Sequence, residues 1–338
     1  MKKIIAVWLI VATVCGIAAV AILGYVVFYK SNTQNNEPYH LTIKQNTDKQ
    51  QILEILNANH VIRSSHSFRI AAQLLRFDRV KKGKYIVHYG ENNLDIIRML
   101  RKGQHYPVKF TFNNIRTQEQ FVDRVGNRFL FEPETLDSLL SDSGYMAQFG
   151  VNPYTKLIIF IPNSYEFYYD ITADEFIHRM YEEYLQFWTP RRLSQAHDIN
   201  LSPAEVLTLA SIVEEENFKN SEKAIIAGLY INRLKKNMLL QSDPTVKYAA
   251  GDFALKRVLT RHTQTDSPYN TYRHLGLPPG PIRMPAISSI DSVLQYRKHN
   301  YLYMCAKEDF SGAHNFAVTL AEHERNAARY HHALNRLK

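Results

Sequence analysis

The chain opens on a block without charge. After Met1-Lys2-Lys3, the residues from Ile4 to Tyr29 are uncharged and mostly apolar, and Lys30 ends the run. About twenty apolar residues cross a bilayer. A cleaved signal peptide has a shorter apolar core, so residues 1–30 are expected to form a cytoplasmic tip and a retained transmembrane anchor. The polar stretch 31–38 reads as a stalk. Residues 39–105 then read as a small α+β unit. His40-Leu-Thr-Ile-Lys looks like a strand, and Thr47 caps a helix with Ile52, Leu53 and Leu56 at helical spacing. Lys82-Gly-Lys-Tyr-Ile-Val-His-Tyr alternates like a second strand. A further helix from Asn92 stops at Gly103.

A larger mixed α/β region spans residues 108–338. Val108-Lys-Phe-Thr-Phe alternates as a strand, and 117–125 and 132–140 carry helical periods. Leu157-Ile-Ile-Phe-Ile-Pro reads as a short buried strand, and Ala173 to Phe187 as an aromatic-rich amphipathic helix. Ser202-Pro-Ala-Glu opens the next helix with a capping box: Ser202 as cap, Pro203 at the first helical position, Glu205 three residues after the cap. No internal repeat or low-complexity tract is present. The fold class is therefore α+β, with one membrane helix, a small module and a larger domain.

Composition narrows the setting. The formal net charge is +9, which favours an anionic neighbour such as a membrane surface or an acidic wall polymer. The anchor argues against nucleic acid. Lys2, Lys3 and the amino terminus favour a cytoplasmic N-terminus, with some 300 residues beyond the membrane. The two cysteines are Cys15, inside the apolar run, and Cys305, so no intrachain disulfide is expected.

The helix from Ser202 ends in Glu214-Glu215-Glu216, at the helix end where the dipole disfavours acids. At 100° per residue, Glu214 projects between Leu207 and Ala210, and Glu216 between Leu209 and Ile212. Both flank the apolar stripe, and Glu215 points away, toward solvent. A carboxyl against apolar neighbours holds its proton more tightly than one in water, as a glycosidic general acid must. Periodicity alone does not choose between Glu214 and Glu216. Gln241-Ser-Asp-Pro-Thr-Val, Pro268-Tyr-Asn-Thr-Tyr and Leu275-Gly-Leu-Pro-Pro-Gly-Pro-Ile add the amide, carboxylate and aromatic groups typical of sugar sites. A zinc hydrolase would want a His-Glu-x-x-His run, and a serine hydrolase a Gly-x-Ser-x-Gly elbow; neither is present. His331 and His332 fall in a basic tail.

In order along the chain, Ala210-Ser-Ile-Val-Glu-Glu-Glu, Asn232-Arg-Leu, Gln241-Ser-Asp-Pro-Thr-Val, Tyr269-Asn-Thr-Tyr, Gly276-Leu-Pro-Pro-Gly-Pro-Ile and Gly312-Ala-His-Asn-Phe resemble the YceG-like family of endolytic murein transglycosylases. Glu322-His and the layout of anchor and LysM-like module match as well. The resemblance implies a LysM-like carbohydrate module over 39–105 and a YceG-like catalytic domain over 108–338. It implies a cell inner membrane enzyme that acts on peptidoglycan strands beside the peptidoglycan synthases, without metal or cofactor. It assigns the catalytic role to Glu214, with Glu216, Gln241, Asp243, Tyr269, Asn270, Thr271, Tyr272 and His314 as substrate-binding or supporting residues. The implied reaction breaks the MurNAc–GlcNAc β-1,4 bond and leaves a 1,6-anhydroMurNAc end. Two positions depart from the family pattern: Arg283-Met-Pro-Ala stands where an Asn-Pro-Gly-like turn is usual, and Asn217 follows the acids. A muramidase using water, with Asp243 or Glu216 as second carboxylate, and a non-catalytic wall-binding scaffold are the competing expectations.

Overall fold

A computed structural model describes the chain apart from residues 1, 35, 104, 217–219, 256, 337 and 338. The departure noted at Asn217 lies outside the described residues. The chain divides into two units, Met1–Phe110 with Glu166–Ile171, and Thr111–Tyr165 with Thr172–Lys338.

The first unit begins with helix α1 (Lys2–Gly24), followed by one π-helical turn, Tyr25–Tyr29. The side chains of α1 from Lys3 to Leu23 are exposed, and at 1.5 Å per residue the helix is about 35 Å long. By length and composition it is able to cross a membrane. The end of the apolar run behaves differently from an anchor. Val27 is buried in the core of the small module, and its carbonyl accepts a hydrogen bond from Asn93 Nδ2 at 2.7 Å. The expected stalk is likewise corrected. Asn32 and Thr33 are buried; Asn32 Nδ2 donates to Asn93 Oδ1 at 2.7 Å, and the Ser64 amide donates to Asn32 Oδ1 at 2.8 Å. Polar side chains look like a linker in sequence, but here their partners arrive from far along the chain.

Within this unit, β1 (Tyr39–Ile43) pairs antiparallel with β4 (Gly83–Val87), and β2 (Thr47–Asp48) with β3 (Arg79–Val80). Helices α2 (Lys49–Ala58) and α3 (Ser65–Leu74) lie between them in sequence, and α4 (Asn93–Lys102) follows. The cap of α2 is Asp48, not Thr47. Asp48 accepts from the Gln50 and Gln51 amides at 2.9 Å, and Gln51 returns the bond. Thr47 instead sits opposite Val80 in the β2–β3 ladder. Helix α4 ends as expected at Gly103, whose φ of 66° is left-handed. Helix α3 was not among the sequence expectations.

Strands β5 (Val108–Thr111) and β6 (Ser164–Phe167) pair with each other. The second unit then carries α5 (Gln118–Gly126), α6 (Pro133–Ser141), α7 (Ser143–Ala147), α8 (Ala173–Phe187), α9 (Pro190–Asp198), α10 (Pro203–Glu216), α11 (Asn220–Lys235), α12 (Asp243–Ala249) and α13 (Ile287–Leu294). A hairpin of β7 (Tyr303–Ala306) and β8 (His314–Ala317) and helix α14 (Leu320–Asn335) complete it. The expected strand at 157–162 is instead a 3₁₀ turn, Lys156–Ile159; Ile158, Ile159, Phe160 and Ile161 are buried as the apolar run required. A short apolar run does not by itself separate strand from buried turn.

Helix α10 is the axis of this unit. Every residue from Val206 to Glu214 is buried, as a helix apolar all round must be. It packs against α9, α11, α12 and α13. The capping box forms as expected: the Ser202 amide and hydroxyl both donate to Glu205 Oε2 at 2.7 Å, and the Glu205 amide donates to Ser202 Oγ at 3.3 Å.

Candidate functional site

The three acids at the end of α10 have different sets of partners. Glu214 is buried: its Oε1 lies 3.2 Å from Arg283 Nη2, and its Oε2 accepts from the Ala286 amide at 2.6 Å. Glu215 is not solvated, contrary to the helical wheel. Its Oε1 lies 2.6 Å from Arg283 Nη1 and 2.7 Å from Arg116 Nη2. Both guanidiniums come from distant parts of the chain, which a wheel does not see. Arg283 is 4% exposed and also donates to Asn114 Oδ1 at 2.7 Å. The position that departs from the family pattern therefore ties two of the three acids to the loop before α13.

Glu216 faces a separate cleft of about 280 Å³. Gln241, Asp243, Tyr272 and His314 line the same cleft, with Arg233 and the β7 residues Met304, Cys305 and Ala306. Glu216 Oε1 accepts from Tyr230 at 2.5 Å and from Ser242 Oγ at 2.6 Å. Among the described residues, Oε2 takes no hydrogen bond. Burial raises the Glu216 carboxyl above its ordinary value. The Ser242 and Tyr230 donors lower it, Asp243 raises it and His314 lowers it, and the net direction is upward. The Tyr230 hydroxyl is pushed well above its usual value by burial and by Glu216. It is thus a fixed hydrogen-bond donor and not a competing acid.

The cleft walls are held by Arg233, which lines the cleft, and by Asn232, which does not. Arg233 Nε donates to the Leu302 carbonyl at 2.6 Å, and Nη1 to the carbonyls of Leu239 and Leu240 at 2.9 and 3.1 Å and to Gln241 Oε1 at 3.2 Å. Asn232 Nδ2 donates to the carbonyls of His299 and Tyr301. The Asn232-Arg pair thus holds the Gln241 loop and the approach to β7 against α11. Gln241 itself has a φ of 52°, a left-handed turn that ends just before the first residue of α12. Asp243 Oδ1 accepts from the Tyr272 hydroxyl at 2.6 Å, and burial and Asp243 both push that phenol upward. On the far wall, His314 Nδ1 lies 2.9 Å from Glu222 Oε2, and the His314 amide donates to Glu222 Oε1 at 3.1 Å.

Three expected site residues do not line this cleft. Asn270 is fully buried; its Nδ2 donates to the carbonyls of Thr263 and Thr265, and its Oδ1 accepts from the Tyr272 amide. Thr271 Oγ1 accepts from the Ser242 amide at 3.0 Å and lies 2.8 Å from Thr245 Oγ1. Both shape the loop that presents Tyr272, and neither lines the cleft. Tyr269 lines a different groove, beside Tyr154 and Tyr248. Conversely, Ser242, Tyr230 and Glu222 were missed. Ser242 lies inside a motif already singled out. Tyr230 is two residues before Asn232-Arg, but nothing in sequence marks it as a donor to Glu216.

The motifs also lock one another. Ser211 Oγ, within the Ala-Ser-Ile-Val run, donates to the Thr208 carbonyl at 2.7 Å and accepts from the Ile282 amide at 3.0 Å. Gly280 lies so close to neighbouring chain that a Cβ there would sit 2.1 Å from the Tyr154 carbonyl oxygen. The Pro-Pro-Gly-Pro-Ile loop is therefore fastened to the middle of α10.

Comparison with known proteins gives one consistent answer. The model of the YceG-like family matches residues 41–329. An endolytic murein transglycosylase of Bacillus subtilis (strain 168) is 29% identical over 306 residues, covering 86% of this chain and 84% of that protein. An endolytic murein transglycosylase of Streptococcus pneumoniae serotype 2 is 27% identical over 85% of this chain, which spans 57% of that longer protein. Among solved structures, a putative yceG-like protein from Listeria monocytogenes matches with a TM-score of 0.57 and 27% identity, over 86% of this chain and 99% of that one.

Proposed function

The chain belongs to the YceG-like family, and from that premise we propose that it is a membrane-anchored lytic transglycosylase of peptidoglycan whose general acid is Glu216. The reaction class follows the two transglycosylase relatives. The residue assignment differs from the one the sequence resemblance implied. One observation carries it: Glu216 is the acid of the three that faces a cleft and is pushed upward by burial. Glu214 has an arginine on one oxygen and a backbone amide on the other. With both oxygens engaged inside the fold, Glu214 suits a structural anchor.

In the proposed mechanism, protonated Glu216 donates to the oxygen of the MurNAc–GlcNAc β-1,4 bond. The departing GlcNAc takes that proton, and positive charge develops at C1 of MurNAc. The resulting carboxylate accepts a proton from the MurNAc C6 hydroxyl, whose oxygen closes on C1 to give the 1,6-anhydro ring. The nucleophile belongs to the same sugar, so its effective concentration is high, and one carboxylate serves as acid and then base. Ser242 and Tyr230 both donate to Oε1. They stabilise the carboxylate between the two steps and leave Oε2 to carry the proton. Asp243 and Tyr272, a bonded pair on the wall, contact the sugar. His314, braced by Glu222, closes the opposite side.

The same reading puts α1 in the inner membrane, the N-terminus in the cytoplasm, and the residues that follow the anchor outside. The small module holds wall glycan close to the membrane, near the synthases that make it. The deciding experiment incubates the full-length protein, in detergent, with peptidoglycan and determines the new glycan ends by mass spectrometry. AnhydroMurNAc ends are expected. Reducing MurNAc ends would instead mark a muramidase, with Asp243 as its second carboxylate. No cleavage would leave the scaffold.

A further inference from the structure

The second unit holds another groove, of about 470 Å³, that the proposed chemistry does not use. It is separated from the Glu216 cleft by the elements that build both. Helix α12 gives Asp243 to the cleft and Tyr248 to the groove. The last turn of α10 gives Glu216 to the cleft, while Glu215 holds Arg116 and Arg283, which line the groove.

Two features define what fits there. The first is a row of aromatic rings. Tyr154 and Tyr269 have centroids 6.3 Å apart, and Tyr269 and Tyr248 4.6 Å apart. Tyr269 is buried behind the row, whereas Tyr154 is 53% exposed and offers an open face. Burial and the neighbouring Tyr248 push the Tyr269 phenol upward. Gly280 is what allows the Tyr154 backbone so close to the proline-rich loop. The second feature is charge. Arg116 and Arg283 are already paired with Glu215. Lys156 lines the same groove, and among the described residues it has no ion-pair or hydrogen-bond partner. Glu119 and Asp137 also line it, and Asp137 Oδ1 is engaged by Gln118 Nε2 at 2.7 Å. An aromatic face beside an unpaired ammonium suits a ligand with a flat apolar face and a carboxylate. The size suits a ligand of a few rings.

We infer that this groove is a second binding site for an acidic oligosaccharide, in which a sugar ring lies on Tyr154 and a carboxylate of the chain meets Lys156. The inference rests on the proposed peptidoglycan activity, because it makes the ligand an uncleaved stretch of the same polymer. The groove would then hold substrate while the cleft performs the chemistry, and its loss would affect KM and not kcat.

The test uses the full-length protein in detergent, made inactive by Glu216→Gln. Two probes are compared by calorimetry, a muramyl-peptide tetrasaccharide bearing carboxylates and the neutral chitotetraose. Tyr154→Ala is expected to weaken both by about tenfold, the scale of one lost aromatic contact. Lys156→Gln is expected to weaken only the acidic probe, by several-fold. In the active protein, Tyr154→Ala should raise KM and leave kcat within twofold. Affinity and KM unchanged in both variants would overturn the second site. Equal loss of the two probes on Lys156→Gln would overturn the carboxylate contact. Cleavage retained by the Glu216→Gln protein would overturn the proposed acid and leave the binding results to stand or fall by themselves.

Discussion

Arg283 Nη2 lies 3.2 Å from Glu214 Oε1, and that pairing gives neighbouring acids of one helix end different surroundings. Glu214 and Glu215 fasten α10 to the segment before α13 through the same guanidinium. Glu216, free of any arginine among the described residues, is left to the cleft. Two of the carboxylates are thus engaged by arginine, and the third is pushed toward its protonated form by burial.

Replacing these acids should separate the two effects. Glu216→Gln is expected to lower kcat by at least two to four orders of magnitude, the loss typical of a general acid–base group, with the fold intact. Glu214→Gln is expected to destabilise by about 3 kcal/mol, because it leaves a buried guanidinium short of one partner. It should keep most of its turnover well below its melting temperature. Paired thermal melts and product assays of the two variants measure this.

The raised Glu216 carboxyl sets a pH dependence. In the proposed mechanism it is protonated at the first step, so kcat/KM should fall as pH rises through the raised value. Ser242 and Tyr230 lower that value by stabilising the carboxylate. Ser242→Ala and Tyr230→Phe should therefore each move the alkaline limb of the profile to higher pH. The same group affects folding. Its folded value lies above its unfolded one, so its contribution to stability is full at low pH and is lost as pH rises through the folded value. Glu216→Gln should accordingly raise Tm relative to the parent protein on the alkaline side and leave it unchanged in acid. Melting curves across pH read this sign directly.

Gly280→Ala tests the fastening of the proline-rich loop. A methyl group 2.1 Å from the Tyr154 carbonyl oxygen forces the backbone to shift. A cost of about 1–3 kcal/mol is expected for such overpacking, together with a rise in KM as Tyr154 moves. Unchanged stability and KM would show that the loop yields freely.

Asn270→Ala should behave as a structural variant. Its side chain makes three hydrogen bonds, all to backbone, and its removal leaves buried carbonyls unpaired at a cost of about 2–3 kcal/mol. The loop carrying Tyr272 should loosen, so proteolysis between Thr263 and Tyr272 should quicken. A variant with normal stability and a raised KM would instead make Asn270 a ligand contact.

Much of this was legible in the chain. Hydrophobic period located α8, the capping box located the start of α10, and the uncharged run located α1, because each depends on residues near in sequence. Of the residues the ordered motifs named, Glu216, Gln241, Asp243, Tyr272 and His314 meet around one cleft, and Glu214, Tyr269, Asn270 and Thr271 do not line it. Periodicity left Glu214 and Glu216 open, the resemblance pointed to Glu214, and the proposed choice of Glu216 rests on the fold. That choice depends on Arg283 and Arg116, on the Ser242 and Tyr230 donors, and on which side of α10 the cleft opens. The sequence could not show that Asn32 and Val27 belong to a core, or that Asn270 turns inward while Tyr272 turns out. Local pattern fixes periodicity and caps, because these are set within a turn or two of chain. Protonation and exposure are set by whatever packs against a group from elsewhere, and only the tertiary structure decides which carboxylate meets an arginine and which meets two hydroxyls beside a cleft.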